Sequence, residues 1–374
     1  MGIYVHVPFC LAKCVYCDFV SYRYKEESAE RYLLALDREI RLWSKKLRDT
    51  AVKSIYVGGG TPTCVGGEGL RRPLRALRKH FSVLPGAEVT VEVNPGTLTA
   101  GLLEILRHEG VNRLSVGMQT ADDKLLRFLG RGHAPGDVAA TMRTARSTGF
   151  DNVNLDLIFG VPGQDLSCWE RTLGVAVALE PDHLSAYSLE IHPRTPLGAA
   201  AAAGSVVPCP EEEELLMYLR AIEFLAAHGY EHYEISNFTR PGKESRHNRL
   251  YWEGEPYLGL GPAAHSYLNG CRWSNTADLD SYCKNLERQR LPVSEEVPLT
   301  EEDEMAEAMF MGLRLIEGVS CTRFEARFGR KAEVIFAKKI KGLVAQGLLR
   351  REGDRLRLTR KALPVANVVF RAFV

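Results

Sequence analysis

The sequence predicts an α/β protein: a partial, three-quarter parallel β/α barrel of six units, followed by a smaller C-terminal α+β module. Three observations predict it. Six short apolar or β-branched runs alternate with helical patterns through residues 1–200. Polar residues stand at the carboxyl ends of several of those runs. The alternation stops near Leu197, and the chain from Thr300 reads as three helices and a hairpin.

The runs at 3–7, 54–57, 89–93, 113–117, 152–159 and 183–189 read as strands. Between the first two, Leu33, Leu36, Ile40 and Trp43 are spaced to share one helical face. Further helical patterns cover 69–81, 99–108, 122–129, 135–147 and 167–179. Repeated strand–helix alternation implies parallel strands joined by right-handed crossovers. Six units fall short of the eight of a closed barrel, which leaves an open barrel or a doubly wound sheet. Polar residues at the strand ends favour the barrel. Residues 198–204 are almost all alanine and glycine and read as a short helix or linker. Residues 211–227 read as a helix with an acidic first turn, which suits the helix dipole. The stretch 229–275 is aromatic, Gly-rich and aperiodic, and reads as a long functional loop. Helical patterns follow at 301–315, 321–328 and 332–346. A hairpin pattern at 348–359 turns at Gly353-Asp354, so the tail resembles a winged helix. The expected domains are therefore a barrel at 1–200, an irregular region at 201–298 and a winged-helix-like domain at 299–374.

A length of 374 residues suits two or three domains at ~150 residues each. With 45% apolar and 25% charged residues, the composition excludes a disordered chain and a collagen-like fibre. No stretch approaches the ~18 uncharged apolar residues of a spanning helix. The opening MGIYVHVPFC has no basic leader, no long apolar core and no small-residue cleavage site, so a cytoplasmic location is expected. The net charge of +1 names no partner.

Nine cysteines, an odd number in a chain expected inside the cell, argue against a disulfide framework. Six of them (Cys64, Cys168, Cys209, Cys271, Cys283, Cys321) are expected to be small buried hydrophobes. Cys10, Cys14 and Cys17 differ: they follow the first strand directly, as C-x3-C-x2-C. Spacings of three and two let one loop wrap a compact centre with three thiolates. A structural zinc site wants a fourth Cys or His nearby, and the next residues are Asp18 and Phe19. Three thiolates on a four-iron cluster leave one iron open to an exogenous ligand. His6, alternating inward on the first strand, is expected to be a satisfied core residue.

The segment YVHVPFCLAKCVYCDF resembles the cluster loop of the radical S-adenosylmethionine (SAM) superfamily. More narrowly it resembles the oxygen-independent coproporphyrinogen oxidase group, along with GGGTPT at 58–63, VEVNP at 91–95, RLSVGMQT at 113–120, NLDLIFGVPGQ at 154–164 and HYEISNF at 232–238. The motif HNxxYW at 247–252, with RWSN and LPVANVVF further on, resembles the HemW-type heme chaperone subfamily. The resemblance implies a barrel of radical SAM type, a 4Fe–4S cluster on Cys10, Cys14 and Cys17, and SAM. It implies SAM contacts from Tyr4, Tyr16, Gly59, Gly60, Thr61, Glu92, Gln119, Arg131 and Asp156. It also implies heme at His247, Asn248, Tyr251 and Trp252, with the imidazole as a candidate iron ligand. Heme transfer to respiratory acceptor proteins, with peripheral contact to membrane-bound acceptors, is then the expected function. The alternative is an oxygen-independent coproporphyrinogen III oxidase or related radical SAM enzyme. Two departures stand against it: those enzymes carry a fourth cysteine where Phe19 stands here, and an N-terminal extension ahead of the strand that carries Tyr4 here.

The segment 323–361 holds 13 Lys and Arg against 4 Asp and Glu. A basic winged helix raises nucleic acid as a ligand. A solvated basic face, or a dock for an acidic partner or heme propionates, is preferred, and no specific nucleic acid is expected.

Overall fold

The computed structural model describes residues 1–47 and 50–374. Six strands run in parallel in sequence order: β1 (Gly2–Val7), β2 (Ala51–Gly59), β3 (Ser82–Val93), β4 (Arg113–Gln119), β5 (Val153–Phe159) and β6 (His183–Ser188). Side chains alternate across a strand, and here the two faces differ in chemistry. Ile55, Val57, Val89, Val91, Leu114, Val116, Leu155 and Leu184 are fully buried in the apolar core of the molecule. The other face carries Ser54, Tyr56, Gly58; Glu88, Thr90, Glu92; Arg113, Ser115, Gly117; Asn154, Asp156; and His183, Ser185. Hydrogen bonds link these polar residues from strand to strand, which makes theirs the inner face of the curved sheet. The result is the expected six-unit partial barrel with a polar interior.

The connecting helices match the sequence periodicity closely. The first, Glu26–Lys46, buries Leu33, Leu36, Ile40 and Trp43. The helix Pro135–Ser147 has the expected bounds, as does Glu211–Ala227, whose first turn holds four glutamates.

The stretch 229–298, expected to be irregular, instead holds six short strands and two short helices. It supplies β7 (Glu231–Glu234), β8 (Asn237–Thr239), β9 (Tyr257–Leu260), β10 (His265–Leu268), β11 (Cys271–Asn275) and β12 (Val293–Pro298). All join the barrel sheet, giving twelve strands in the order β12-β11-β10-β9-β1-β2-β3-β4-β5-β6-β8-β7. β9 lies parallel to β1, pairing Gly2 with Tyr257, and β8 lies antiparallel to β6. The barrel is thus extended at both edges by one continuous segment of chain.

Residues from Glu301 form a helical module with a three-stranded wing of β13 (Val319–Ser320), β15 (Arg355–Leu358) and β14 (Leu349–Glu352). The hairpin turn holds Asp354, whose carboxylate accepts from the Ser320 and Thr322 hydroxyls at 2.6 and 2.5 Å. The helix expected at 332–346 is two helices, Ala332–Ile335 and Ala337–Ala345. Between them Phe336 leaves helical geometry and sets its ring edge-on against Phe373 at 5.4 Å. The module is joined to β7 by backbone bonds from Ile316 to Tyr233 and from Ile235 to Arg314. Among the described residues no helix is long and apolar enough to cross a membrane.

Candidate functional site

The mouth of the barrel, at the carboxyl ends of β1–β6, is where parallel barrels bind ligands. The loop after β1 carries Cys10, Cys14 and Cys17 to this end. Its turn is closed by the Cys17 amide donating to the Cys14 carbonyl, and the Val15 amide donates to Leu129. Val15 and Tyr16 pack on an apolar patch that includes Leu125, Leu129, Ile158 and Leu197. Leu11 and Phe19, also on this loop, are exposed.

Separate donors hold two of the sulfurs. Thr61 Oγ1 lies 3.7 Å from Cys10 Sγ, and Arg131 Nη1 lies 3.6 Å from Cys14 Sγ. Asn94 joins the two donors. Its Nδ2 donates to Thr61 Oγ1 at 2.8 Å, and its Oδ1 accepts from Arg131 Nη2 at 2.7 Å. An unbroken arc of polar contacts therefore runs Cys10–Thr61–Asn94–Arg131–Cys14. A hydroxyl and a guanidinium aimed at sulfur are donors from which a metal-bound thiolate can accept. Burial raises the Cys17 thiol, and the charges of Cys14 and Cys10 add to the rise. Among the described residues, no three His, Cys, Asp or Glu side chains converge tightly enough for a single ion. The chemistry of this donor set, three thiols on one loop beside two sulfur-directed donors, fits an iron–sulfur cluster.

Glycines make room beside it. A Cβ on Gly60 would sit 2.5 Å from the Phe9 carbonyl and 3.0 Å from Cys10 Sγ. One on Gly117 would meet Gln119 Nε2 at 2.7 Å and Arg131 Nη2 at 2.9 Å. Gln119 itself adopts φ +63, where the pairing of β4 with β5 slips register. A non-glycine residue held there folds its amide back over Gly117, a strained geometry typical of ligand sites.

Deeper in the mouth lie two carboxylates. Glu92 accepts from the Tyr56 hydroxyl at 2.8 Å and from the Gly59 amide at 3.1 Å. Gly59 adopts φ +112, and a Cβ there would strike His6. Burial, then the charge of Asp156, pushes Glu92 up to about 7. Asp156 accepts from Ser115 Oγ at 2.9 Å and Asn154 Nδ2 at 2.8 Å, and burial raises it too. No hydrogen bond joins the two acids, and they interact through charge. An ionised Glu92 gains from a cationic partner. Tyr4 sits beside them with its hydroxyl 3.0 Å from His6 Nδ1. The other His6 nitrogen meets the Val20 carbonyl at 2.8 Å, so His6 is the satisfied core residue expected.

The HNxxYW segment lies at the opposite end. It forms the short helix Arg246–Trp252, which closes the barrel floor under the amino ends of β1–β3. Glu88 of β3 accepts from the Arg246 and His247 amides at 2.9 Å each. His247 is 1% exposed. Its Nδ1 is hydrogen-bonded to Ser54 Oγ and its Nε2 to Tyr251 OH, both at 2.8 Å. Burial, then the charge of Arg113, pushes the imidazole down to about 3. An iron-ligand role for His247 would require one of these two hydrogen bonds to break. Tyr251 is tied to His247 and packs edge-on to Tyr257 at 4.6 Å. Asn248 is half-buried, and its amide is held by the Ser245 cap. Trp252 lines a cleft against the C-terminal module.

Sequence reading missed Tyr56, Asn94 as a bridge, and the interior row Arg113–Asn154–His183–Tyr233. His183 links Asn154 Oδ1 at 2.7 Å to Tyr233 OH at 2.8 Å. Their signal was the polar member at every second position of an apolar strand. Of the six other cysteines, Cys168, Cys283 and Cys321 are buried as expected, whereas Cys64, Cys209 and Cys271 are partly exposed.

Fold and mouth together define a radical SAM protein, and a sequence profile of the Radical SAM superfamily matches residues 4–176. A HemN C-terminal domain profile matches residues 299–365. The heme chaperone HemW of Bacillus subtilis is 37% identical over 99% of this chain and 98% of its own length. HemW of Mycobacterium tuberculosis is 37% identical over 100% of this chain and 94% of its own, and HemW of Escherichia coli 30% over 100% and 98%. The solved coproporphyrinogen III oxidase (HemN) of Escherichia coli, a radical SAM enzyme, superposes with a TM-score of 0.88. It is 25% identical, covering 100% of this chain and 89% of that one. The chain belongs to the HemW heme chaperone family of the radical SAM superfamily.

Proposed function

We propose that this chain binds heme as cargo and hands it to heme-accepting respiratory proteins, some of them membrane-bound and met peripherally, in the cytoplasm. The mouth holds a 4Fe–4S cluster on Cys10, Cys14 and Cys17, with SAM on the open iron. When bound, such a cluster supplies a one-electron reductant beside the SAM sulfonium. The chain's own residues do the rest. Thr61 and Arg131 stabilise the thiolates, and the Gly60 and Gly117 backbones leave space for ligand. Glu92 and Asp156 offer acceptors to the SAM amino group and ribose hydroxyls, with Tyr4, Gly59 and Gln119 around them. Tyr16 offers a ring to stack on adenine.

The observation that carries the cofactor reading is the arc from Cys10 to Cys14 through Thr61, Asn94 and Arg131. The cargo reading rests on full-length similarity to heme chaperones. A second reading, coproporphyrinogen III oxidation, is favoured by the fold match to that enzyme. Exposed Phe19 stands where that enzyme group has its fourth cysteine, which weighs against it. One anaerobically reconstituted preparation tests both. Retained heme without protoporphyrinogen formation supports the chaperone. Protoporphyrinogen at many turnovers per protein overturns it.

A further inference from the structure

Arg113 opens β4 and is 2% exposed, a guanidinium sealed inside the barrel. Its Nε is buried without a hydrogen-bond partner, and so is Oγ1 of Thr90, which lies directly across from it on β3. An arginine keeps its proton in a protein, so this charge is fixed. A fixed charge out of water is tolerated only where other groups compensate it. In the low-dielectric interior it acts on those groups through space, without contact.

Three carboxylates share the inner face with it. Glu88 is engaged below, accepting from the Arg246 and His247 amides of the floor helix at 2.9 Å each. Glu92 stands one pleat nearer the mouth than Thr90, and Asp156 of β5 one pleat nearer still. Burial raises both of these acids, and the charge of Arg113 opposes the rise. A second guanidinium, Arg131, is turned to Asn94 and Cys14 instead. The other titratable groups do not compete near pH 7. Burial raises the phenols of Tyr4, Tyr56 and Tyr233, and that of Tyr187 at the rim, so they are neutral there. Burial lowers the imidazoles of His6, His183 and His247, and the Arg113 charge lowers the last two further. The interior thus sets one fixed positive charge against two mouth carboxylates. A ligand that brings one further positive charge completes the balance.

We propose, resting on the SAM reading of the mouth, that Arg113 is a positioning residue for the cofactor: its sealed guanidinium holds Glu92 and Asp156 as carboxylates, so that the mouth presents negative charge to a cationic ligand. It acts on the cofactor through the two acids and not by contact.

The test is calorimetric titration of SAM into the anaerobically reconstituted full-length protein from pH 6 to pH 8. Two buffers of different ionisation enthalpy count the protons released, and melting temperatures are recorded alongside. In the wild type, affinity rises across this range. In Arg113→Met the rise is expected to move to higher pH, because Glu92 without the cation keeps its proton further up the scale. Affinity at pH 7 then falls roughly two- to fivefold, the effect of a carboxyl that titrates about half to one pH unit higher, and more protons leave per SAM bound. Arg113→Lys keeps the charge and is expected to restore the wild-type profile. Arg113→Gln, polar but uncharged, carries the same expectation as Met, so the test does not depend on one variant folding. A lowered melting temperature with an unmoved pH profile and proton count in the Met and Gln variants shows a structural role only; it overturns the proposal and leaves the SAM reading standing. Failure of the reconstituted wild type to bind SAM overturns both.

Discussion

The two ends of the barrel are built from the same strands yet offer opposite chemistry. At the mouth, polar groups are positioned but left with capacity. Arg131 Nε has no partner, Glu92 is held near neutrality, and glycines at 58–60 and 117 keep space beside them. At the floor, polar groups are consumed. His247 spends both nitrogens, Glu88 caps a helix, and His183 is bonded on both sides. A residue able to ligate or transfer protons does so only where its lone pairs remain available. Polar capacity is thus left open at the mouth, whereas these floor groups are engaged in holding the strand ends together.

The largest expected effect lies at the mouth. Replacing Cys10, Cys14 and Cys17 together with serine abolishes iron and the reduced-cluster EPR signal; full iron loading in that variant would break the comparison. Next comes the floor. His247→Ala removes a buried ring and strands Ser54 and Tyr251, so the melting transition falls by the equivalent of ~2–4 kcal/mol. The heme spectrum of that variant stays unchanged, and a shifted Soret band would return His247 to the site. Third, Glu92→Gln weakens SAM binding by roughly 10- to 150-fold, the cost of one hydrogen bond to a charged group. Because Glu92 titrates at about 7 and the SAM ammonium needs the carboxylate, wild-type affinity rises from pH 6 to pH 8, and binding releases protons. The Gln variant shows a flat profile, measured by calorimetry in two buffers of different ionisation enthalpy. The smallest effect is at the surface. Arg360→Ala breaks an exposed pair with Glu223, and stability changes by about 0–1 kcal/mol.

What the sequence revealed follows from range. The six barrel strands were legible because each alternates apolar and polar residues over five or more positions, a local signal. The cysteine loop was legible because its ligands lie within one turn of chain. Strands β7–β11 were not, since three to five residues rich in Tyr, His and Asn show no period, and their pairing is set by the edges they extend. The surroundings of His247 were not legible for a related reason. The aromatic density of HNxxYW looks the same on a surface or in a plug, and only Ser54, 193 residues away, decides which.

The separation of the two ends is tested most directly by titrating heme into the Cys10→Ser, Cys14→Ser, Cys17→Ser variant. With the cluster gone, heme affinity and the iron-ligand spectrum are expected to equal those of the wild type. Loss of heme binding in a variant that remains folded would place the cargo at the mouth and contradict the account.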